Sequence, residues 1–498
     1  MGLLLREDSG PAILPKVRLF DPGIFRSQSR RESVDISTPH RQPSNRAATE
    51  CQAGKDGRRL EQRAMERFTA SMKSSDTART GARRFSRRGF LKAATFAGGA
   101  LLTGCGTNND MPGKRVTLTQ WYHQYGEKGC QEAVHRYAEE YMRLNPDIGV
   151  RVVWVPGDYG TKLSTALLTR GGPDVFETSL SAPMVTAGEV APLDDLFTPD
   201  DRADFNPKDL AANTVGGKIY GIKTLDDTGL LYYRKSWLAQ AGVAPPTTMD
   251  ALIAAAKTLT VGDRKGLFVG NDGGISSLLN ILPWSAGSDF LVDNKIVFDN
   301  PRTVAAYQKL AELNATESVL LGAPEDYWSP SALTQGLVAM QWTGLWAYPD
   351  IRKALGDDVG ALPWPALDAS GSPATFLGGW SAMVNAQSPH IAEAKKYIQW
   401  LWIDNKTAQQ DWCLSYGFHI PPRASIARTA HALSAPVPAA AVHSLASYGH
   451  ALPPSWNSAM GTALTDAVTN IVKSGRPAAP EIAQAADKCN TVLRRLLE

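Results

Sequence analysis

The sequence predicts an α/β protein built around a parallel sheet, and three observations carry that prediction. A strand, helix, strand, helix, strand order is legible between Val116 and Glu177. The 498 residues, 43% hydrophobic and 20% charged, have the balance of globular protein and leave room for two to four domains. All 13 tryptophans lie beyond Gly104, so the folded body is expected to follow that residue.

Val116-Thr117-Leu118-Thr119-Gln120-Trp121 is a β-branched and aromatic run that reads as a strand. Val134, Tyr137, Tyr141 and Leu144 recur at helical spacing until Asn145-Pro146 closes the helix. A second strand follows over Val150-Arg151-Val152-Val153-Trp154-Val155, then a helical face of Tyr159, Leu163, Ala166 and Leu167, then the short strand Pro173-Asp174-Val175-Phe176-Glu177. Strand signals return in Gly217 to Ile222 and Leu230 to Tyr233, and helical ones in residues 301–314, 390–402 and 480–497. Turn-rich stretches at 262–274, 366–373 and 434–438 read as loops, and none forms a linker between independent domains. Trp400, Trp402 and Trp412 fall on helices and are expected in the core.

Charge divides the chain. There are 20 Lys/Arg against 10 Asp/Glu through Gly104, and 32 against 39 beyond it, so the formal net charge of +3 conceals a basic front and an acidic body. An acidic body excludes a general nucleic-acid binder, which needs a basic face to displace phosphate counterions. Residues 1–80 show no sustained apolar period and are expected to be disordered; residues 1–71 are expected to be a disordered extension or to precede the true start, for which Met72 is the better candidate.

Residues 72–104 read as an export signal. Ser86-Arg87-Arg88-Gly89-Phe90-Leu91-Lys92 resembles the twin-arginine motif, the apolar stretch from Ala93 to Leu102 is too short to span a bilayer, and Leu102-Thr103-Gly104-Cys105 resembles the bacterial lipobox. The resemblance implies export through Arg87 and Arg88, cleavage before Cys105, and a diacylglycerol on its sulfur. Two or three acyl chains at about 0.8 kcal/mol per buried CH₂ anchor stably. Residues 105–113 then form a tether. Cys130, Cys413 and Cys489 remain, either with one disulfide among them or as three buried thiols.

Four strings in the body resemble the bacterial extracellular solute-binding proteins of ABC importers, in the maltose-binding-like class. They are Arg170 to Phe176; Gly217 to Ile222 running on to Leu231-Tyr232-Tyr233-Arg234-Lys235; Gly336 to Trp346; and Gly378-Gly379-Trp380-Ser381-Ala382. The likeness covers residues 114–497. Lys223, Arg234 and Met249 depart from the family's frequent Pro, Asn and Trp. The resemblance implies two α/β lobes joined by a hinge of three crossings near 223–228, 377–382 and 417–423. The lobes would be 114–223 with 378–420, and 224–377 with 421–498.

A sugar receptor needs flat aromatics for pyranose C–H faces and paired polar groups for the hydroxyl rim. His123, Gln124 and Tyr125 follow the first strand, where open α/β sheets place their ligand crevice. By resemblance Tyr159, Glu177 and Ser179 match first-lobe contact regions. Asp227, with Asp226 as the alternative, sits at the first crossing, and Asn271, Asp272 and Gly273 resemble a second-lobe contact loop. Trp284, Trp346, Trp380 and Trp456 are the aromatic candidates, and Gly379 lies in the last matching string. The implied function is extracytoplasmic binding of a sugar or oligosaccharide by a monomer that delivers it to a membrane permease, with no cofactor, metal or nucleic acid. Two readings stand beside it: a receptor for a polyamine, anion or peptide, and an exported glycoside-cleaving enzyme using Glu177 with Asp226 or Asp227. No Gly-x-Ser-x-Gly, His-Glu-x-x-His or phosphate-binding glycine loop accompanies them.

Overall fold

A computed structural model describes residues 111–169 and 171–497. The extension, Arg87, Arg88, Cys105 and the start of the tether lie outside the described residues. The described body opens with β1 (Val116–His123), α1 (Cys130–Leu144), β2 (Ile148–Val155), α2 (Tyr159–Leu167), β3 (Val175–Thr178) and β4 (Ile222–Lys223). It continues through β5 (Gly229–Arg234), α3 (Met249–Leu259), β6 (Lys265–Phe268), α4 (Pro301–Ala315), β7 (Val338–Gly344), β8 (Val359–Leu362) and β9 (Thr375–Phe376). The last part holds β10 (Ser381–Val384), α5 (Ile391–Gln399), α6 (Lys406–Leu414), α7 (Pro436–Tyr448), β11 (Gly449–His450), α8 (Ser458–Ser474) and α9 (Ala478–Leu497).

Two larger sheets form, one per lobe, beside three two-stranded pairs among the described residues. The first has the order β2-β1-β3-β10-β4, with β1 parallel to β2 and β3, and β10 antiparallel to both β3 and β4. The second has the order β8-β5-β7-β6 and is also mixed. The parallel reading thus holds for the three opening strands. In the first sheet the antiparallel strand, β10, is the one that returns after the chain has visited the other lobe, and in the second it is β5, the first strand to enter that lobe; local periodicity encodes neither direction.

Each sheet has its own core. Val134, Tyr137 and Tyr141 of α1 bury one helical stripe against the first sheet, joined by Tyr397 and Ile398 of α5 and Trp412 of α6. Leu252 and Ala256 of α3, Leu310 of α4, Leu464 of α8 and Ile482 of α9 do the same for the second. Side chains of this size stabilise by about 1.5–3 kcal/mol each when fully buried. Trp402 and Trp412 are buried, as their helical positions predict, while Trp400 is half-buried. Cys130, Cys413 and Cys489 are free, buried thiols.

The chain passes between the sheets three times, and the crossings hydrogen-bond to one another. Asp226 and Ile420 exchange backbone hydrogen bonds of 2.9 Å in both directions. The Gly378 N–H donates to the Asp227 carbonyl at 2.8 Å, and the Thr224 N–H to the Trp380 carbonyl at 2.9 Å. At the end of the third crossing, Arg423 still faces the first lobe, donating to Asp201 at 3.0 Å and Asp204 at 2.9 Å.

Candidate functional site

A cavity of about 560 Å³ lies between the two lobes. The first lobe lines it with α2, residues 178–181, Pro183, Met184, Gly378 and Gly379, and the second with Phe376, Leu377, residues 450–453 and 456–458, Asn280 and Trp284. Ser179, Ser181, Asn213 and Asn457 give the wall neutral hydrogen-bonding groups. Among the described lining residues the formally charged side chains are Glu189 and Lys223. Burial holds the Glu189 carboxyl above its ordinary range. Two hydrogen bonds join the lobes at the cavity's edge: the Ala182 N–H donates to the Pro454 carbonyl at 2.7 Å, and Lys208 Nζ to the Gly449 carbonyl at 2.8 Å.

The expected site residues separate into groups. His123, Tyr125, Tyr159, Glu177 and Trp380 form one cluster at the carboxyl ends of β1 and β3. Glu177 is its buried centre, accepting from the His123 backbone N–H at 3.0 Å, His123 Nδ1 at 2.6 Å and the Tyr125 hydroxyl at 2.8 Å. The Tyr159 hydroxyl donates to the Glu177 carbonyl at 2.8 Å. The His123 ring stacks on Trp380, with centroids 4.0 Å apart and planes 24° apart. None of these five lines the cavity, and Gln124 is exposed outside it. Replacing Glu177 with glutamine keeps the size but faces its donors with an amide nitrogen. The expected cost is about 2 kcal/mol in urea unfolding, since a buried donor left unpaired costs about 1–3 kcal/mol.

Ser179, Trp284, Gly379 and Trp456 line the cavity itself. Trp284 is buried and lies flat against the His450 imidazole, with centroids 5.1 Å and planes 14° apart. Trp456 packs edge-on to Phe290. Trp346 stands outside the lining, beside Phe376, and its indole N–H donates to the Trp328 carbonyl at 2.9 Å. Asn271 is tied to the backbone of Ala323, and Asp272 accepts from the backbone N–H groups of Gly274, Ile275 and Ser276. Both side chains therefore shape a turn and do not line the cavity.

The crossings hold a buried charge network. Lys223 Nζ lies 3.6 Å from both Asp209 and Asp226. Burial raises the pKa of Asp226 well above its ordinary value, and repulsion from Asp209 adds to this. Asp227 accepts from His419 Nδ1 at 2.6 Å, while His419 Nε2 faces Glu127 at 3.6 Å. Burial alone would lower the His419 pKa, but the two carboxylates outweigh it and lift it to about 10. Asp227, expected to bridge a ligand, is thus joined to the third crossing. Among the described residues no group of three or more His, Cys, Asp or Glu is arranged to hold a metal ion, and no helix is long and apolar enough to cross a membrane.

Sequence reasoning missed His450, Phe376, Asn213 and Asn457 as cavity residues. His450 and Phe376 are register partners in a two-residue parallel pair, β11 with β9. Strands that short leave no alternation to detect. Asn457 doubles as the cap of α8, accepting from the Met460 N–H at 3.1 Å, and that capping pattern was its one available signal.

Comparison with known proteins places this geometry. The profile of the bacterial extracellular solute-binding proteins matches residues 127–401, more than half of the chain. A probable ABC transporter-binding protein of Deinococcus radiodurans is 33% identical over 207 residues, covering 38% of this chain and 48% of that protein. The chain thus spans about half the length of that relative. An arabinooligosaccharide-binding protein of Bacillus subtilis is 26% identical over 304 residues, covering 56% of this chain and 68% of that one. Among solved structures, an ABC transporter solute-binding protein from Thermotoga lettingae bound with α-D-tagatose superposes with a TM-score of 0.65 at 22% identity, over 76% of this chain and 99% of that one. The GacH receptor of Streptomyces glaucescens gives 0.65 and 22%, over 77% and 98%. The structural likenesses establish the two-lobed α/β fold, and the profile match settles its family: the chain belongs to the bacterial extracellular solute-binding proteins.

Proposed function

We propose that this chain binds a sugar or oligosaccharide outside the cytoplasm, in the cavity between its lobes, and delivers it to an ABC importer permease. The observation that carries the reading is the character of the wall: neutral amides and hydroxyls beside Trp284, Trp456 and Phe376, with Glu189 and Lys223 as its formal charges. A polyamine receptor would need several free carboxylates and an anion receptor free guanidinium groups or helix N-termini. A carbohydrate needs what is present, apolar faces to stack on and neutral partners for hydroxyls. A relative named for arabinooligosaccharide binding, and structural neighbours solved with tagatose or acarbose bound, support the same class.

Binding without turnover is part of the proposal. The carboxylates that a glycosidase would use are engaged elsewhere, Glu177 with His123 and Tyr125, Asp226 near Lys223, and Asp227 with His419. We further propose export through Arg87 and Arg88, anchoring through a lipid on Cys105, and a monomeric receptor with lobes 114–223 plus 378–420 and 224–377 plus 421–498.

Ligand closes such a cleft through tighter binding to the closed state. Moving from 1:99 to 99:1 takes about 5.5 kcal/mol, within the roughly 8 kcal/mol of a micromolar complex. Thermal denaturation against mono- and oligosaccharides tests the proposal. A cognate sugar at 100 times Kd is expected to add about 2.7 kcal/mol of stability and to be recovered intact. Stabilisation confined to polyamines, phosphate or amino acids would overturn it.

A further inference from the structure

We propose that His450 is a ligand-binding residue of the cleft, its imidazole hydrogen-bonding sugar hydroxyls while its face rests on Trp284. The inference deepens the carbohydrate reading and depends on it. Four observations converge. His450 lines the cavity. Its backbone is fixed by the pairing of β11 with β9, the Leu377 N–H donating to the His450 carbonyl at 2.7 Å. Its ring is held flat on the buried Trp284 indole, 5.1 Å between centroids and 14° between planes. The ring hydrogen bonds made by histidines among the described residues belong to His123, His419 and His443, so both nitrogens of His450 are left for another partner.

A neutral imidazole carries one donor and one acceptor that point in divergent directions, and a sugar hydroxyl, which both donates and accepts, can partner either nitrogen. The neutral form is favoured here. Burial lowers the His450 pKa, and Lys208, whose Nζ bonds the neighbouring Gly449 carbonyl, pushes the same way, with Asp289 opposing. Protonation would remove the acceptor and put a second cation beside Lys208. Trp284 meanwhile donates weakly to Asp289 at 3.4 Å, which turns its indole N–H away from the imidazole face.

The test uses the mature chain and a sugar found to bind the wild type. His450→Phe keeps a ring on Trp284 and deletes both nitrogens; His450→Gln keeps one donor and one acceptor on a different frame. Calorimetric titration should show roughly tenfold weaker binding for the phenylalanine variant at pH 7.5, with partial recovery in the glutamine variant. Wild-type affinity should also fall between pH 7 and 5, while the phenylalanine variant's stays level. Circular dichroism and unfolding of the free proteins separate a binding defect from a folding one. If wild type binds sugar and His450→Phe binds it equally at both pH values, the assignment of His450 is wrong while the carbohydrate reading stands. If wild type binds no sugar, the carbohydrate reading itself fails.

Discussion

Replacing His419 with leucine should destabilise the protein by about 3–5 kcal/mol, because it strands the buried Asp227 carboxylate without its partner. His419 is 4% exposed and is held between Asp227 at 2.6 Å and Glu127 at 3.6 Å. Those three residues come from the third crossing, the first crossing and the loop after β1, so the loss falls on the joint between lobes. The pH dependence has a definite sign. An unfolded histidine titrates near 6.5, whereas His419 in the fold titrates at about 10. A raised pKa gives stability that is fully present below pH 6.5 and is lost as pH rises toward 10. Urea unfolding of wild type should therefore weaken from pH 7 to 9 relative to the leucine variant. Parallel curves for the two proteins would rule out the ion pair as its source.

Gly379→Ala is the second large effect. Gly379 has φ +97°, a conformation that L side chains rarely adopt, and a methyl there would sit 2.1 Å from the Leu225 carbonyl oxygen and 3.1 Å from the Asp226 Cα. Both neighbours are backbone of the first crossing, which cannot rotate aside as a side chain can. We expect a loss of about 3 kcal/mol or more and weakened ligand binding, since Gly379 also lines the cavity. Gly378→Ala is the control. Its new methyl would meet the Phe376 ring at 2.8 Å, a side chain with some freedom to turn, so a smaller loss is expected. Equal melting temperatures for Gly379→Ala and wild type would refute the steric argument.

The difference between these neighbouring glycines indicates what a sequence can convey. The string Gly378-Gly379-Trp380 marked the second crossing, but which glycine is obligatory depends on Leu225, more than 150 positions away. The opening strands and helices were legible because Val134, Tyr137 and Tyr141 repeat at the spacing of one helical face, and α1 buries that face. The aromatic candidates were legible as a class and not by destination. Trp284 reaches the cavity and Trp380 stacks on His123, although each is a lone Trp in the sequence. Asp227 was expected as a ligand group by resemblance, from its place at the first crossing; its partner, His419, arrives from a distant crossing.

The mutual hydrogen bonding of the three crossings bears on mechanics. Segments laced side by side, as Asp226 is to Ile420 and Asp227 to Gly378, resist sliding past one another far more than they resist flexing together. We expect the lobes to move chiefly by bending about these segments, and a pair of spin labels, one per lobe, would measure that excursion.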